Sequence, residues 1–281
     1  MKKFKLSIIT INLNNKPGLE KTIQSVINQT YKDFEYIIID GGSTDGSSDL
    51  IENNEKDLNY WISEKDDGIY AAMNKGIKQA NGEYCLFLNS GDCLYDKNVL
   101  ANVFLSNPCK DIVYGNIILD YGETQEIRLS PGRITLNHLF SNTLWHPVSF
   151  IKRKLFDIVG YYDTSFLIVG DYDFFWKAFI TYNCSQQHIN NIISVFNTQG
   201  ISSKQEFADL VRNERNLTQI NNLDSKVIDL YNELNNQIQE LKQENIKLQL
   251  SYNKILNSKT YVLVNQLKKA LLNPILFLIK R

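Results

Sequence analysis

Early in the chain, four short apolar runs each stop at a polar or glycine-rich turn, and this alternation restricts the fold more than any other feature. Leu6-Ser7-Ile8-Ile9-Thr10-Ile11 runs into Asn12, Asn14 and Asn15, then Pro17-Gly18. Tyr36-Ile37-Ile38-Ile39 ends at Asp40-Gly41-Gly42, Leu58 to Ile62 forms a third run, and Tyr84 to Leu88 ends at Asn89-Ser90-Gly91-Asp92. Runs this short, bounded by turn residues, read as buried strands. Between them lie stretches with helical spacing. Leu19 to Gln29 carries Ile23, Val26 and Ile27; a second helix starts at Ser43-Thr44-Asp45, which are good N-cap residues; Ile69 to Ala80 closes on Asn81-Gly82. Strands alternating with helices predict a mainly parallel sheet flanked by helices, an α/β fold. Such sheets bind ligands outside the carboxyl ends of their strands, where Asp40, Asp66 and Asp92 all fall. Three carboxylates are therefore expected at one cleft.

The remaining pattern is looser. Asp111 to Leu119, Pro147 to Ile151 and Ile189 to Phe196 read as strands, and Pro131 to Asn142 as loop and short helix. Asp171 to Ile180 reads as a helix with Phe174, Phe175, Ala178 and Phe179 on its apolar side. After Ser203 the composition shifts to Asn, Gln, Lys, Glu and Leu without Gly, which marks a separate helical appendage. At 281 residues, 43% of them apolar, the chain can bury one large core and still carry that appendage. Its 30 Lys and Arg offset 31 Asp and Glu, so no basic field points to a nucleic-acid partner. Cys85, Cys93, Cys109 and Cys184 form no C-x-x-C pair and have no His at zinc spacing, which reads as free thiols in a reducing cytosol. Lys2, Lys3 and Lys5 precede an apolar run, but the asparagines break it, so a strand is expected there and not a signal peptide. No apolar run reaches the roughly 18 residues that a spanning helix needs.

Several motifs carry chemistry, and each has a plainer reading beside it. Gly41-Gly42 lets backbone approach a phosphate or ribose, and equally serves a tight turn. Asp92, at a strand end beside Ser90 and Gly91, suits Mg²⁺ or Mn²⁺. These ions take one or two protein carboxylates and fill the rest with diphosphate oxygens and water. Such an ion neutralises charge growing on a departing nucleoside diphosphate. The plainer reading is an Asx turn. Asp171 and Asp173 flank Tyr172 at a helix start, where they either complement the helix dipole or supply a general base for a hydroxyl. His146, in Leu144-Trp145-His146-Pro147, is structural or catalytic.

Together these segments resemble a family 2 glycosyltransferase of the GT-A fold over about residues 4–200. The resemblance rests on Ser7-Ile8-Ile9-Thr10, on Ile39-Asp40-Gly41-Gly42-Ser43-Thr44-Asp45-Gly46, on Leu88-Asn89-Ser90-Gly91-Asp92 and on Gly170-Asp171-Tyr172-Asp173. Its most specific block is Asp66-Asp67-Gly68-Ile69-Tyr70-Ala71-Ala72-Met73-Asn74-Lys75-Gly76. The resemblance implies that Thr10, Ile11 and Asn12 contact the nucleoside and that Asp40 and Asp66 line the base and ribose pocket. It places Asn74 and Lys75 near the donor, with Lys75 a candidate for the diphosphate. Asp92 corresponds to the last carboxylate of the metal motif, Asp171 to the catalytic base, and His146 to the histidine before it that faces the cleft. Members of this kind invert the anomeric centre in one in-line displacement. Two positions depart from the family. Gly41 stands where a second Asp, base-reading in some relatives, often stands. Asn89 and Gly91 replace carboxylates, leaving Asp92 as the expected sole protein ligand, for an ion that binds well only with the donor.

Residues 227–255 hold an unbroken heptad. Position d reads Val227, Leu234, Leu241, Leu248 and Ile255; position a reads Tyr231, Ile238, Asn245 and Tyr252. Leu at d with one Asn at a is the pattern of a parallel dimer. The alternative is a long helix packed on its own catalytic domain. From Tyr261 to Arg281, Val264, Leu267, Leu271, Ile275 and Leu278 alternate with Lys268, Lys269, Lys280 and Arg281, which suits an interfacial membrane helix or further packing within the dimer.

The expectation is then a catalytic domain over 1–203, a helical linker over 204–226, a coiled coil over 227–256 and an amphipathic tail over 257–281. The expected enzyme is an inverting, metal-dependent glycosyltransferase using a nucleoside-diphosphate sugar, Mn²⁺ or Mg²⁺ and a glycan or lipid-linked acceptor. It is expected in the cytoplasm, at the inner face of the cell membrane, in surface polysaccharide or glycolipid synthesis. Two rivals are a nucleotidyltransferase of similar fold and a non-catalytic coiled-coil scaffold. The first wants a Gly-rich basic loop after the first strand, where Asn14-Asn15-Lys16-Pro17-Gly18 is a poor one; intact Asp92 and Asp171 argue against the second.

Overall fold

The structure, a computed structural model, describes residues 4–105 and 107–268. The chain divides between Asn222 and Leu223 into two compact units.

The first unit opens with strands and helices in alternation: β1 (Leu6–Asn12), α1 (Lys16–Ile27), β2 (Phe34–Asp40), α2 (Ser47–Asn53), β3 (Tyr60–Ser63), α3 (Ile69–Gln79) and β4 (Tyr84–Phe87). The short strand β5 (Cys93–Leu94), α4 (Val99–Leu105), β6 (Ile112–Asp120), β7 (Gln125–Arg128), α5 (Leu136–Ser141) and β8 (Ser149–Lys152) follow. The unit ends with α6 (Leu155–Ile158), α7 (Gly170–Trp176), β9 (Gln186–Asn197) and α8 (Ala208–Asn222). One sheet runs β3-β2-β1-β4-β8-β6-β9-β5, with β7 paired to β6. The expected parallel arrangement holds through β3, β2, β1 and β4. Beyond β4 the sheet is mixed: β8 is antiparallel to both β4 and β6, while β9 runs parallel to β6.

Residues of one strand face share one core. Leu6 and Ile8, Tyr36 and Ile38, Tyr84 and Leu86 pack with Leu19, Ile23 and Val26 of α1 and with Leu100 and Val103 of α4. The period-two alternation puts Ile9 on the opposite face, beneath α3. There Gly76 lies so close that an added Cβ would sit 2.4 Å from Ile9 Cγ2, which explains why the Asp66–Gly76 block ends in glycine.

Two helix expectations need correction. α2 starts at Ser47, not at Ser43, because Gly46 occupies the cap position with φ +86°. Asp45 still serves the helix end: its Oδ1 accepts the Ser47 N–H at 3.0 Å and the Ser47 hydroxyl at 2.6 Å. The Asp171 helix begins one residue earlier, at Gly170, and passes at Lys177–Thr181 into a π-helical turn. Residues 208–222, within the expected helical linker, do form a helix, α8, which belongs to the first unit.

In the second unit α9 spans Ser225–Leu256, with Asp224 capping it by accepting the Lys226 N–H at 2.9 Å. The heptad residues Val227, Leu234, Ile238, Leu241, Leu248, Tyr252 and Ile255 are exposed on the single chain. The chain is helical again over 259–268; the rest of the predicted tail, 269–281, lies outside the described residues. Among the described residues, no helix is long and apolar enough to cross a membrane.

Candidate active site

The carboxyl ends of β1, β2 and β4 and the N-terminus of α7 open onto one cavity of about 740 Å³. Ile11, Asn12, Gly41, Asp66, Asp92, His146 and Asp171 all line it. Thr10, Asp40, Gly42, Asn74 and Lys75 are not among its lining residues.

Asp40 is fully buried beneath the cavity floor and organises it. It accepts hydrogen bonds from the Asn12 amide (2.7 Å), the Ser43 N–H (2.9 Å), the Ser43 hydroxyl (2.6 Å) and the Ser63 hydroxyl (2.6 Å). Burial pushes its carboxyl up, but the donors from Ser43, Ser63 and Asn12 outweigh this and hold it below the usual carboxylate range. Asn12 is thereby fixed with its Oδ1 buried and without a partner. Thr10 Oγ1 is likewise internal, 3.1 Å from the Tyr36 hydroxyl. Gly42 takes φ +79°, the left-handed turn that glycine permits.

Asp66 and Lys75 explain each other. The Lys75 ammonium lies 2.5 Å from Asp66 Oδ1 and 2.5 Å from Glu64 Oε1, with the Asp66 side chain only 7% exposed. The Asp66 and Glu64 carboxylates raise the Lys75 pKa, and Lys75 donates to Glu64, while both Asp66 oxygens stay buried without an aligned donor. Asn74 clamps the backbone of Tyr162, donating to its carbonyl at 2.8 Å and accepting its N–H at 3.0 Å.

The centre of the site is His146, which the chain presents between two carboxylates. Its Nδ1 lies 3.1 Å from Asp171 Oδ2, and its Nε2 lies 3.7 Å from Asp92 Oδ2 and 3.1 Å from Asn89 Nδ2. Burial opposes charge on the ring, yet the hydrogen bonds to Asp171 and Asp92 prevail and lift its pKa to about 9. Asp171 is held from other sides too: its Oδ1 accepts the Tyr172 N–H at 2.8 Å and the Tyr70 hydroxyl at 3.3 Å. Asp173 is engaged elsewhere, buried and paired with Lys177 at 2.6 Å.

Asp92 ties two strand ends together. Its Oδ2 accepts the Asn89 N–H and its Oδ1 the Asn197 N–H, both at 3.2 Å. Among the described residues, no cluster of three His, Cys, Asp or Glu could hold a metal ion. One carboxylate, Asp92, is the oxygen donor here that suits a hard divalent cation, while the Asn89 amide beside it is taken up by the His146 ring at 3.1 Å. Such a site would leave most coordination positions to oxygens from outside the protein.

Sequence reasoning missed several residues of the cavity: Trp145, Phe196, Asn197 and Arg215. The Arg215 guanidinium stacks 4.5 Å above the Tyr172 ring and donates to the carbonyls of Asn142 (2.5 Å) and Leu139 (3.4 Å). Arg215 lies in no motif and in a stretch read as linker. Tyr70 lay inside the quoted block, but its contact with Asp171 joins residues far apart in sequence.

The site is thus a carboxylate-lined cleft at the strand ends of an α/β sheet, and comparison with known proteins gives the family. The profile of Glycosyl transferase family 2 matches residues 7–177, and the chain belongs to that family. A PGL/p-HBAD biosynthesis glycosyltransferase of Mycobacterium bovis is 31% identical over 201 residues, covering 69% of this chain and 77% of that protein. The GalNAc(5)-diNAcBac-PP-undecaprenol beta-1,3-glucosyltransferase of Campylobacter jejuni is 32% identical over 120 residues, 41% of this chain and 39% of that protein. Among solved structures, S. aureus TarS 1-349 in complex with UDP superposes with a TM-score of 0.58 at 21% identity, covering 69% of this chain and 60% of that chain. The mannosyltransferase PcManGT of Pyrobaculum calidifontis, in complex with GDP-Man and Mn²⁺, gives 0.53 at 18% identity, covering 68% of this chain and 56% of that chain. The chain thus spans less than two thirds of these two solved chains, and the likeness to them concerns the fold, which is of the GT-A type.

Proposed function

We propose that the chain transfers a sugar from a nucleoside-diphosphate sugar to a hydroxyl of a glycan or lipid-linked acceptor, with inversion at the anomeric carbon. The observation that carries this reading is the row Asp92, His146, Asp171, in which one part-buried imidazole lies 3.7 Å from the first carboxylate and 3.1 Å from the second. Asp171 is the general base. It takes the proton of the acceptor hydroxyl while that oxygen bonds to the anomeric carbon and the bond to the diphosphate breaks on the opposite face. His146 and Tyr70 orient its carboxylate. The nucleoside lies over the ends of β1 and β2, beside Ile11, Asn12 and Gly41, which line the cavity there. Asp92 would hold Mn²⁺ or Mg²⁺, which when bound would neutralise charge on the departing diphosphate. The ligands of the solved neighbours support this donor class, and the names of the relatives support a lipid-linked acceptor in glycolipid or surface polysaccharide synthesis. The exposed heptad of α9 supports a parallel dimer with a second copy through 227–255. The interleaved apolar and basic residues over 261–281 support contact of that tail with the cytoplasmic face of the membrane.

Thermal melting with UDP or GDP, with and without Mn²⁺, tests the donor and metal assignments, since a ligand of the folded state raises the melting temperature. The wild type gains stability from nucleotide and Mn²⁺ together. Asp92→Asn loses the Mn²⁺-dependent part and most transfer. Turnover that is indifferent to chelator and to Asp92→Asn contradicts the metal site.

A further inference from the structure

α8 lies beyond the stretch that matches the family, yet it holds the backbone leading into Asp171. Glu214, on α8, is 6% exposed. Its Oε1 accepts the N–H of Leu167 at 2.8 Å, and its Oε2 accepts the N–H groups of Ile168 at 3.0 Å and Val169 at 3.1 Å. Those three consecutive amides immediately precede Gly170 and Asp171, the start of α7. Three donors on one carboxylate make a strong local hold, because hydrogen bonds to an ionised acceptor exceed neutral ones. The same peptides are held from the other side. The Ile168 carbonyl accepts the Tyr70 hydroxyl at 2.5 Å, and that hydroxyl also reaches Asp171 Oδ1 at 3.3 Å. The Val169 carbonyl accepts the first helical bond of α7, from the Asp173 N–H at 3.0 Å. Arg215, the next residue, steadies Tyr172 by stacking on its ring. Asp171 is therefore flanked by groups that α8 grips.

We propose that Glu214 is a positioning residue for transfer: its carboxylate fixes the backbone of Leu167–Val169 and so sets where Asp171 meets the acceptor hydroxyl. The inference rests on the reading of Asp171 as the base. Misplacing a reacting group by about 1 Å can cost about 10²-fold in rate, so a backbone anchor behind the base has leverage.

The test uses the full chain with Glu214→Ala, Glu214→Gln, Asp171→Asn and the double variant Glu214→Ala/Asp171→Asn. The donor is whichever sugar nucleotide the wild type turns over in a panel of UDP- and GDP-sugars. Glu214→Ala is expected to lower kcat by about 10- to 100-fold with the donor KM within about 2-fold. Glu214→Gln keeps one acceptor oxygen and recovers part of that loss; it decides the matter if the alanine variant does not fold in a thermal melt. In the Asp171→Asn background, Glu214→Ala should remove little more, because a residue that acts through Asp171 has nothing left to position. Hydrogen exchange should show lost protection over Leu167–Val169 in both Glu214 variants, independently of any activity. Full turnover in both Glu214 variants, unchanged exchange, or losses that multiply with Asp171→Asn overturn the proposal while leaving the base intact. Wild-type turnover in Asp171→Asn overturns the proposed base itself.

Discussion

Lys75 illustrates how burial assigns a charged residue to its partner. Its ammonium bridges Asp66 and Glu64, and the Asp66 carboxylate is almost enclosed. Replacing Lys75 by Met leaves that carboxylate without a counter-charge, at a cost of about 1–2 kcal/mol once screening of the partly exposed ammonium is discounted. Lys75→Met should therefore lower the melting temperature by several degrees and leave the donor KM nearly unchanged. A large rise in KM with unchanged melting would instead make Lys75 a ligand of the diphosphate. The choice between Asp171 and Asp173 was half-legible in the sequence. Both flank Tyr172, but only Asp173 has a cation four residues on, and the Asp173–Lys177 pair forms as that spacing implies. Asp40 was singled out for ligand contact, whereas its hydroxyl and amide donors make it the organiser of the floor. That difference depends on Ser63, which no local pattern links to Asp40.

At the scale of elements, the strands that could be read were the buried ones. β1, β2 and β4 are continuous apolar runs, and their parallel order follows from the helices between them. β5 has two residues, and β7 is exposed along its length, so neither presents a hydrophobic period. The antiparallel turn of the sheet at β8 arises from contacts between distant strands, which single-sequence patterns do not encode. The sequence shows α8 as a helical linker and hides its docking for a physical reason: it packs largely through polar groups, with Glu214 and Thr218 its buried residues. Its role gives a sharp expectation for truncation. A chain ending at Asn222 should melt cooperatively and retain transfer. One ending at Ser203 loses Glu214 and Arg215 and should lose most of its activity. Equal activity of the two chains would remove α8 from the site.

For the molecule as a whole, the exposed heptad of α9 poses the question of a second copy. Light scattering of the full chain should give a dimer, and Leu241→Pro, which breaks the helix, a monomer. Truncation after Ser258 should leave a dimer that no longer floats with anionic liposomes, because the basic tail is gone, and Leu241→Pro should weaken flotation, because two linked tails bind more tightly than one. A monomeric full-length chain would refute the coiled coil. The central claim, that sugar transfer takes place beside His146 with Asp171 as its base, is tested most directly by one rate. This is nucleoside diphosphate release on acceptor addition, measured for wild type and Asp171→Asn at saturating donor. The account predicts a fall of about 10²–10⁴-fold with donor affinity preserved. Release at the wild-type rate from Asp171→Asn would contradict it.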